Sequence, residues 1–148
     1  MVFKSESVRI RLLRLEEVVS ELERLKSLGQ DALRGSLSLM WAVERGLQLG
    51  AELIFDIGNH ILSAQYGVSP DEYRNVVLHL AQQGVVGTDL QDRLEGLAGF
   101  RNLLVHDYVR LNPQKVLEVL ERAPGDLSLF YREIRKWLEG DSSRPSAL

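Results

Sequence analysis

The stretch FRNLLVHDYVRL, residues 100–111, sets Arg101, Asn102, His106 and Tyr108 among leucine and valine, just before Asn112-Pro113. A guanidinium is permanently charged and presents a planar fork to oxyanions. An imidazole ordinarily titrates near neutral pH, so it can both take and give a proton. Side chains of these types, set so close together, are either the polar side of an ordinary amphipathic helix end or parts of a site.

Only helices are available to position them, because the hydrophobic period is helical along the whole chain. Val8, Leu12, Leu15, Val19 and Leu22 recur by fours and threes and predict a helix over 6–28, ended by Gly29. A second, long helix is expected over 30–66, with Leu33, Leu37, Met40, Leu47, Ala51, Ile54 and Ile61 inward and Gly67 as its stop. Ser69-Pro70-Asp71-Glu72 reads as a capping box for a third helix to Gln83, and Thr88-Asp89-Leu90-Gln91 as the start of a fourth. Asn112-Pro113 opens a fifth. Pro124-Gly125 is expected to interrupt it, with Asp126 capping a sixth that ends near Glu139.

The expected fold is therefore all-α: a single-domain antiparallel bundle of five to six helices over residues 1–139, with a disordered polar tail, GDSSRPSAL, over 140–148. Two long helices joined at Gly29 form its spine. Gly46 and Gly50 lie one turn apart on the second, and each costs about 1 kcal/mol against alanine in a helix. They admit a neighbouring helix closely, or else leave room for a ligand or a partner subunit.

A chain of 148 residues, 45% hydrophobic, can bury one real core. It has no cysteine, which excludes disulfides, thiolate metal sites and a cysteine nucleophile and fits a reducing, cytoplasmic setting. Met1-Val-Phe-Lys-Ser lacks the apolar region of a secretory signal, and no segment approaches the roughly 20 apolar residues of a membrane span. No Gly-rich phosphate loop, GxSxG elbow or HExxH motif appears, and no cofactor is expected. The net charge of −3 argues against a nucleic-acid partner unless a local basic patch overcomes it. The densest basic run, Arg132, Arg135 and Lys136, is either a solvated helix face or part of such a patch.

On the fourth helix, Leu90, Leu94, Leu97, Arg101, Leu104 and Tyr108 follow one stripe by fours and threes. Arg101 thus occupies a seam position where the pattern asks for leucine. Three accounts justify a charge there: a salt bridge to a carboxylate such as Glu44, the mouth of a cleft, or a subunit interface. Tyr108 on that stripe is, by itself, a core residue with a wet hydroxyl. His106 points elsewhere, about 140° from Arg101 at about 100° per residue, and its natural neighbour is Asn102 one turn back. If Arg101 and His106 cooperate, either the helix loosens before Pro113 or a second chain completes the site. Glu52, Asp56 and His60 form an acidic row at steps of four, a thin basis for a metal site and more simply a solvated or interfacial row. His79, in NVVLHLA, reads as a packed or partly exposed histidine.

Arg101, four residues, His106, one residue and Tyr108 match the R-x(4–6)-H-x-Y motif, and the chain resembles HEPN-domain ribonucleases, in particular HepT-like toxins. ERGLQLGAELIFDIGNHIL (44–62) resembles their long second helix, RNLLVHDY their active-site helix, and NPQKVLEVL with Phe130 and Trp137 their C-terminal helices. The resemblance implies a metal-independent endoribonuclease working as a homodimer, the motifs of both chains facing one cleft. It implies that Arg101 binds the scissile phosphate, that His106 is the general acid–base for attack by the ribose 2′-hydroxyl, and that Asn102 orients His106 or the phosphate. It further implies a nucleotidyltransferase antitoxin that transfers AMP to Tyr108. The alternative is a non-catalytic helical adaptor or substrate-binding subunit of a two-chain nucleotidyltransferase.

Overall fold

The computed structural model describes residues 3–141. Six α-helices follow in order: α1 (Ser5–Ser27), α2 (Gln30–Arg34), α3 (Leu37–Tyr66), α4 (Tyr73–Gln82), α5 (Thr88–His106) and α6 (Pro113–Asp141), with a single 3₁₀ turn, Tyr108–Arg110, between the last two. No strand occurs among the described residues. The bundle is all-α, as the periodicity requires. The tail expected from Gly140 lies, for residues 142–148, outside the described residues.

Helix α3 is the axis. The other helices pack around it, α1 and α6 also pack on each other, and α4 and α5 close the remaining side. Its buried set is correspondingly wide: Met40, Val43, Leu47, Ala51, Ile54, Ile57, Ile61 and Leu62 face several neighbours rather than one. Gly67, in the left-handed region at φ +67°, ends it. At the other end the expected continuous helix over 30–66 is broken. Ser36 leaves helical geometry and its hydroxyl accepts from the Leu39 N–H at 3.2 Å, so the long helix begins at Leu37 and α2 is a separate short turn.

Two other expected starts also differ. Residues 69–72 stay outside α4, and Glu72 makes no side-chain cap; the helix begins where Tyr73 docks, its hydroxyl donating to the Ala51 carbonyl at 2.7 Å and its ring stacked on Phe55. Thr88 is inside α5 rather than its cap, and the preceding Gly87 N–H donates to Glu133 at 2.7 Å. The helix opening at Asn112-Pro113 forms as expected, and the Asn112 side-chain oxygen accepts from the Gln114 N–H at 2.9 Å.

Pro124 does not divide α6. A proline inside a helix costs about 3 kcal/mol. Leu120, Ala123, Leu127, Phe130, Ile134 and Trp137 carry one buried stripe through it, each large side chain worth about 1.5–3 kcal/mol on burial. Asp126 is consequently no cap. It is buried mid-helix, its carboxylate 3.5 Å from Arg93 on α5.

The glycines of α3 serve close packing. A Cβ on Gly46 would stand 2.7 Å from a Leu22 methyl, one on Gly50 2.8 Å from a Leu127 methyl, and one on Gly58 would run into Val76 and Leu80 of α4. Gly58→Ala is expected to destabilise by about 1–3 kcal/mol through overpacking. Gly125→Ala, where a Cβ meets nothing within 4 Å, should stabilise by up to about 1 kcal/mol. Urea midpoints of the two variants, moving in opposite directions, check this.

Candidate active site

Arg101 leaves the apolar surface of α5 at the edge of a cleft of about 520 Å³ between α3, α4 and α5. Its Nε and Nη2 both stand 2.8 Å from Oε1 of Glu52 on α3. The expected partner Glu44 is therefore wrong: it lies eight residues earlier on α3, about 12 Å along the axis. The pair is half-buried, with the two side chains 25% and 31% exposed. The third guanidinium nitrogen, Nη1, reaches Oδ1 of the exposed Asn102 at 3.5 Å. Two of the three accounts of Arg101 thus hold together, since it is ion-paired and also lines a cleft.

Tyr73, Phe55, Arg74 and Gly99 share that cleft, and none of them was picked out by spacing. Burial pushes the Tyr73 phenol well up from its ordinary value, and the Glu52 charge adds to it, so it remains a neutral hydroxyl. The signal for Glu52 was present. It is a charge inside the apolar run AELIF, and Arg101 is a charge of opposite sign inside another apolar stripe.

The acidic row of α3 separates accordingly. Glu52 faces Arg101, while His60 Nε2 accepts from the Lys4 backbone N–H at 3.2 Å and packs on Phe3. Burial, then Arg11 and Lys4, lowers the His60 pKa. Among the described residues no cluster of three or more histidines or acids could hold a metal ion. His79 is half-buried on α4. Arg132 and Lys136 are exposed, and Arg135 lies over Tyr131 beside Arg9 of α1, away from the cleft residues.

Helix α5 is regular through His106, so the angle of about 140° between Arg101 and His106 persists. His106 is exposed, and its side chain forms no hydrogen bond or ion pair among the described residues. It shares the outward face with Gly96, Gly99 and Leu103, at steps of three and four. A Cβ on either glycine would meet nothing within 4 Å. Among the described residues no close packing contact requires a glycine at either position.

The expectation that Tyr108 continues the seam of Arg101 fails. Asp107 takes φ −134° and ψ 40°, its N–H closing on Leu103, and Tyr108–Arg110 turn as a 3₁₀ segment. Aspartate competes with helical geometry through its own side chain. Tyr108 ends 69% exposed, lining a second cavity with Glu44. The helix therefore loosens before Pro113, but beyond His106 rather than between Arg101 and His106. One chain brings Arg101 and Asn102 together and leaves His106 and Tyr108 on other surfaces.

No helix among the described residues is long and apolar enough to cross a membrane. The chain is 34% identical over 98 residues to the mRNA nuclease HepT of Shewanella oneidensis, covering 66% of this chain and 74% of that protein. It is 26% identical over 133 residues to the tRNA nuclease HepT of Aphanizomenon flos-aquae, covering 88% and 89%. Its fold superposes on the tri-AMPylated Shewanella oneidensis HEPN toxin, solved in complex with MNT antitoxin, with a TM-score of 0.78, 26% identity, and coverage of 87% of this chain and 96% of that one. A family model described as ribonuclease HepT-like matches residues 15–134, which span α5 and its arginine, histidine and tyrosine, and the chain belongs to this HepT-like ribonuclease family.

Proposed function

We propose that the chain is a cytoplasmic, toxin-type endoribonuclease that cuts RNA as a homodimer without a metal ion. The observation that carries this is the exposure of His106 on the outer face of α5, about 140° round the helix from Arg101 in its cleft. A second copy docked on that face by a twofold axis would set the His106 of one chain toward the Arg101 of the other. Bare glycine backbone allows such close approach.

In this reading Arg101 holds the phosphate through the fork now turned to Glu52, and stabilises the charge that grows on it. His106 takes the proton of the ribose 2′-hydroxyl as that oxygen bonds to phosphorus. The bond from phosphorus to the 5′-oxygen breaks, and the leaving oxygen is protonated. Asn102 positions Arg101 through its side-chain oxygen. The net charge of −3 is no obstacle where one or two local cations make the contact.

Tyr108, exposed on its 3₁₀ turn, is the acceptor of AMP from a nucleotidyltransferase antitoxin. The added phosphodiester places negative charge two residues from His106 and repels RNA phosphates. Expression of the chain alone should arrest growth and fragment RNA, and co-expression of the antitoxin should reverse both. A chain that alone leaves growth and RNA intact is instead the helical adaptor of a two-chain nucleotidyltransferase, the role to which its acidic balance otherwise points.

A further inference from the structure

Tyr108 forms part of the wall of a cavity of about 340 Å³ between the starts of α3 and α6, inside the range of about 300–1,000 Å³ usual for small-ligand pockets. Leu37, Met40, Leu111 and Val116 give it an apolar lining, and Arg34 and Glu44 are its charged groups. Neither charged side chain has an ion pair or hydrogen bond among the described residues. Core packing does not ask for a glutamate there. Burial pushes the Glu44 carboxyl up from the ordinary carboxylate range, so it takes a proton more readily than a surface glutamate does. Either oxygen of its carboxyl can accept a hydrogen bond. That complements the exocyclic amino donor of adenine. Arg34 supplies the fixed positive charge that suits a phosphodiester.

We propose that this cavity receives the adenylate carried by Tyr108, with the purine against Met40, its amino edge on Glu44, and its phosphate at Arg34. The proposal rests on the reading of Tyr108 as AMP acceptor. In the transfer, the phenolic oxygen bonds to the α-phosphorus of ATP, the bond from that phosphorus to pyrophosphate breaks, and the phenolic proton is released. The adenylate then folds back onto its own chain instead of projecting into solvent, which holds the blocking charge in a fixed place beside the end of α5.

The test uses the two methionines of the chain, Met1 and Met40. Carbon-13 methyl labelling therefore gives a Met40 signal inside the cavity and a Met1 signal as reference. The full-length labelled protein is treated with the nucleotidyltransferase antitoxin and ATP, and the adduct is located by mass spectrometry. The expected result is a ring-current shift of the Met40 methyl alone, reversed when phosphodiesterase removes the adenylate, and reduced in Glu44→Ala carrying the same adduct. An adduct on Tyr108 that leaves the Met40 methyl unmoved, or a shift undiminished in Glu44→Ala, overturns this proposal while the acceptor reading stands. Failure to form any adduct on Tyr108 overturns both.

Discussion

Replacing His106 with alanine should lower RNA cleavage by about 10²–10⁴-fold, the usual contribution of a positioned acid–base side chain. The fold has no stake in the residue. Its side chain is exposed at the last turn of α5 and holds nothing else in place, so the thermal midpoint should move by less than about 0.5 kcal/mol equivalent. The measurement is single-turnover cleavage of labelled RNA beside a melting curve of the same preparation. Toxicity and cleavage retained at the parental rate in His106→Ala would end the proposed mechanism. Loss of both with an unchanged melt would assign His106 to the chemistry rather than to the scaffold.

The second large effect is a recovery. Arg101→Ala and His106→Ala homodimers should each be inactive, yet a mixture refolded or co-expressed together should regain about a quarter of the parental rate, from isologous twofold pairing. The arithmetic follows from the geometry. Random pairing makes half the dimers mixed, and in each mixed dimer one of the two sites holds an intact arginine from one chain and an intact histidine from the other. If both residues of a site came from the same chain, no mixed dimer would contain a whole site and the mixture would stay inactive. Titrating one variant against the other, followed by RNA cleavage, separates these arrangements. Arg101→Ala also leaves Glu52 half-buried without its partner, so its melt must be followed in parallel.

Much of this architecture is legible in residue spacing, and the misses share a cause. Val8, Leu12, Leu15 and Leu22 recur at helical steps and are all buried in α1. The break at Ser36 escaped notice because Leu33, Leu37 and Met40 keep a plausible period across it. At Pro124 the local rule for proline conflicts with an apolar stripe that continues on both sides, and burial of that stripe outweighs the lost backbone hydrogen bond. Arg101 was recognisable as a charge out of place, but its partner was not. Glu44 and Glu52 are both carboxylates on α3, and only the way α5 crosses α3 selects between them. Tyr108 failed for a similar reason. The seven-residue step from Arg101 is meaningful only while the helix lasts, and it stops at His106.

The Glu52–Arg101 pair bears on which anions the cleft can accept. Glu52 is held against Arg101 by the fold, an internal competitor for any anion that comes to the guanidinium. Any incoming phosphate competes with it one for one. Inorganic phosphate or a mononucleotide brings a single point of attachment and displaces the carboxylate poorly. A polynucleotide brings neighbouring phosphates that keep the chain in place while one of them makes the exchange. In the proposed reading, the internal carboxylate thus favours polymers over small anions at Arg101.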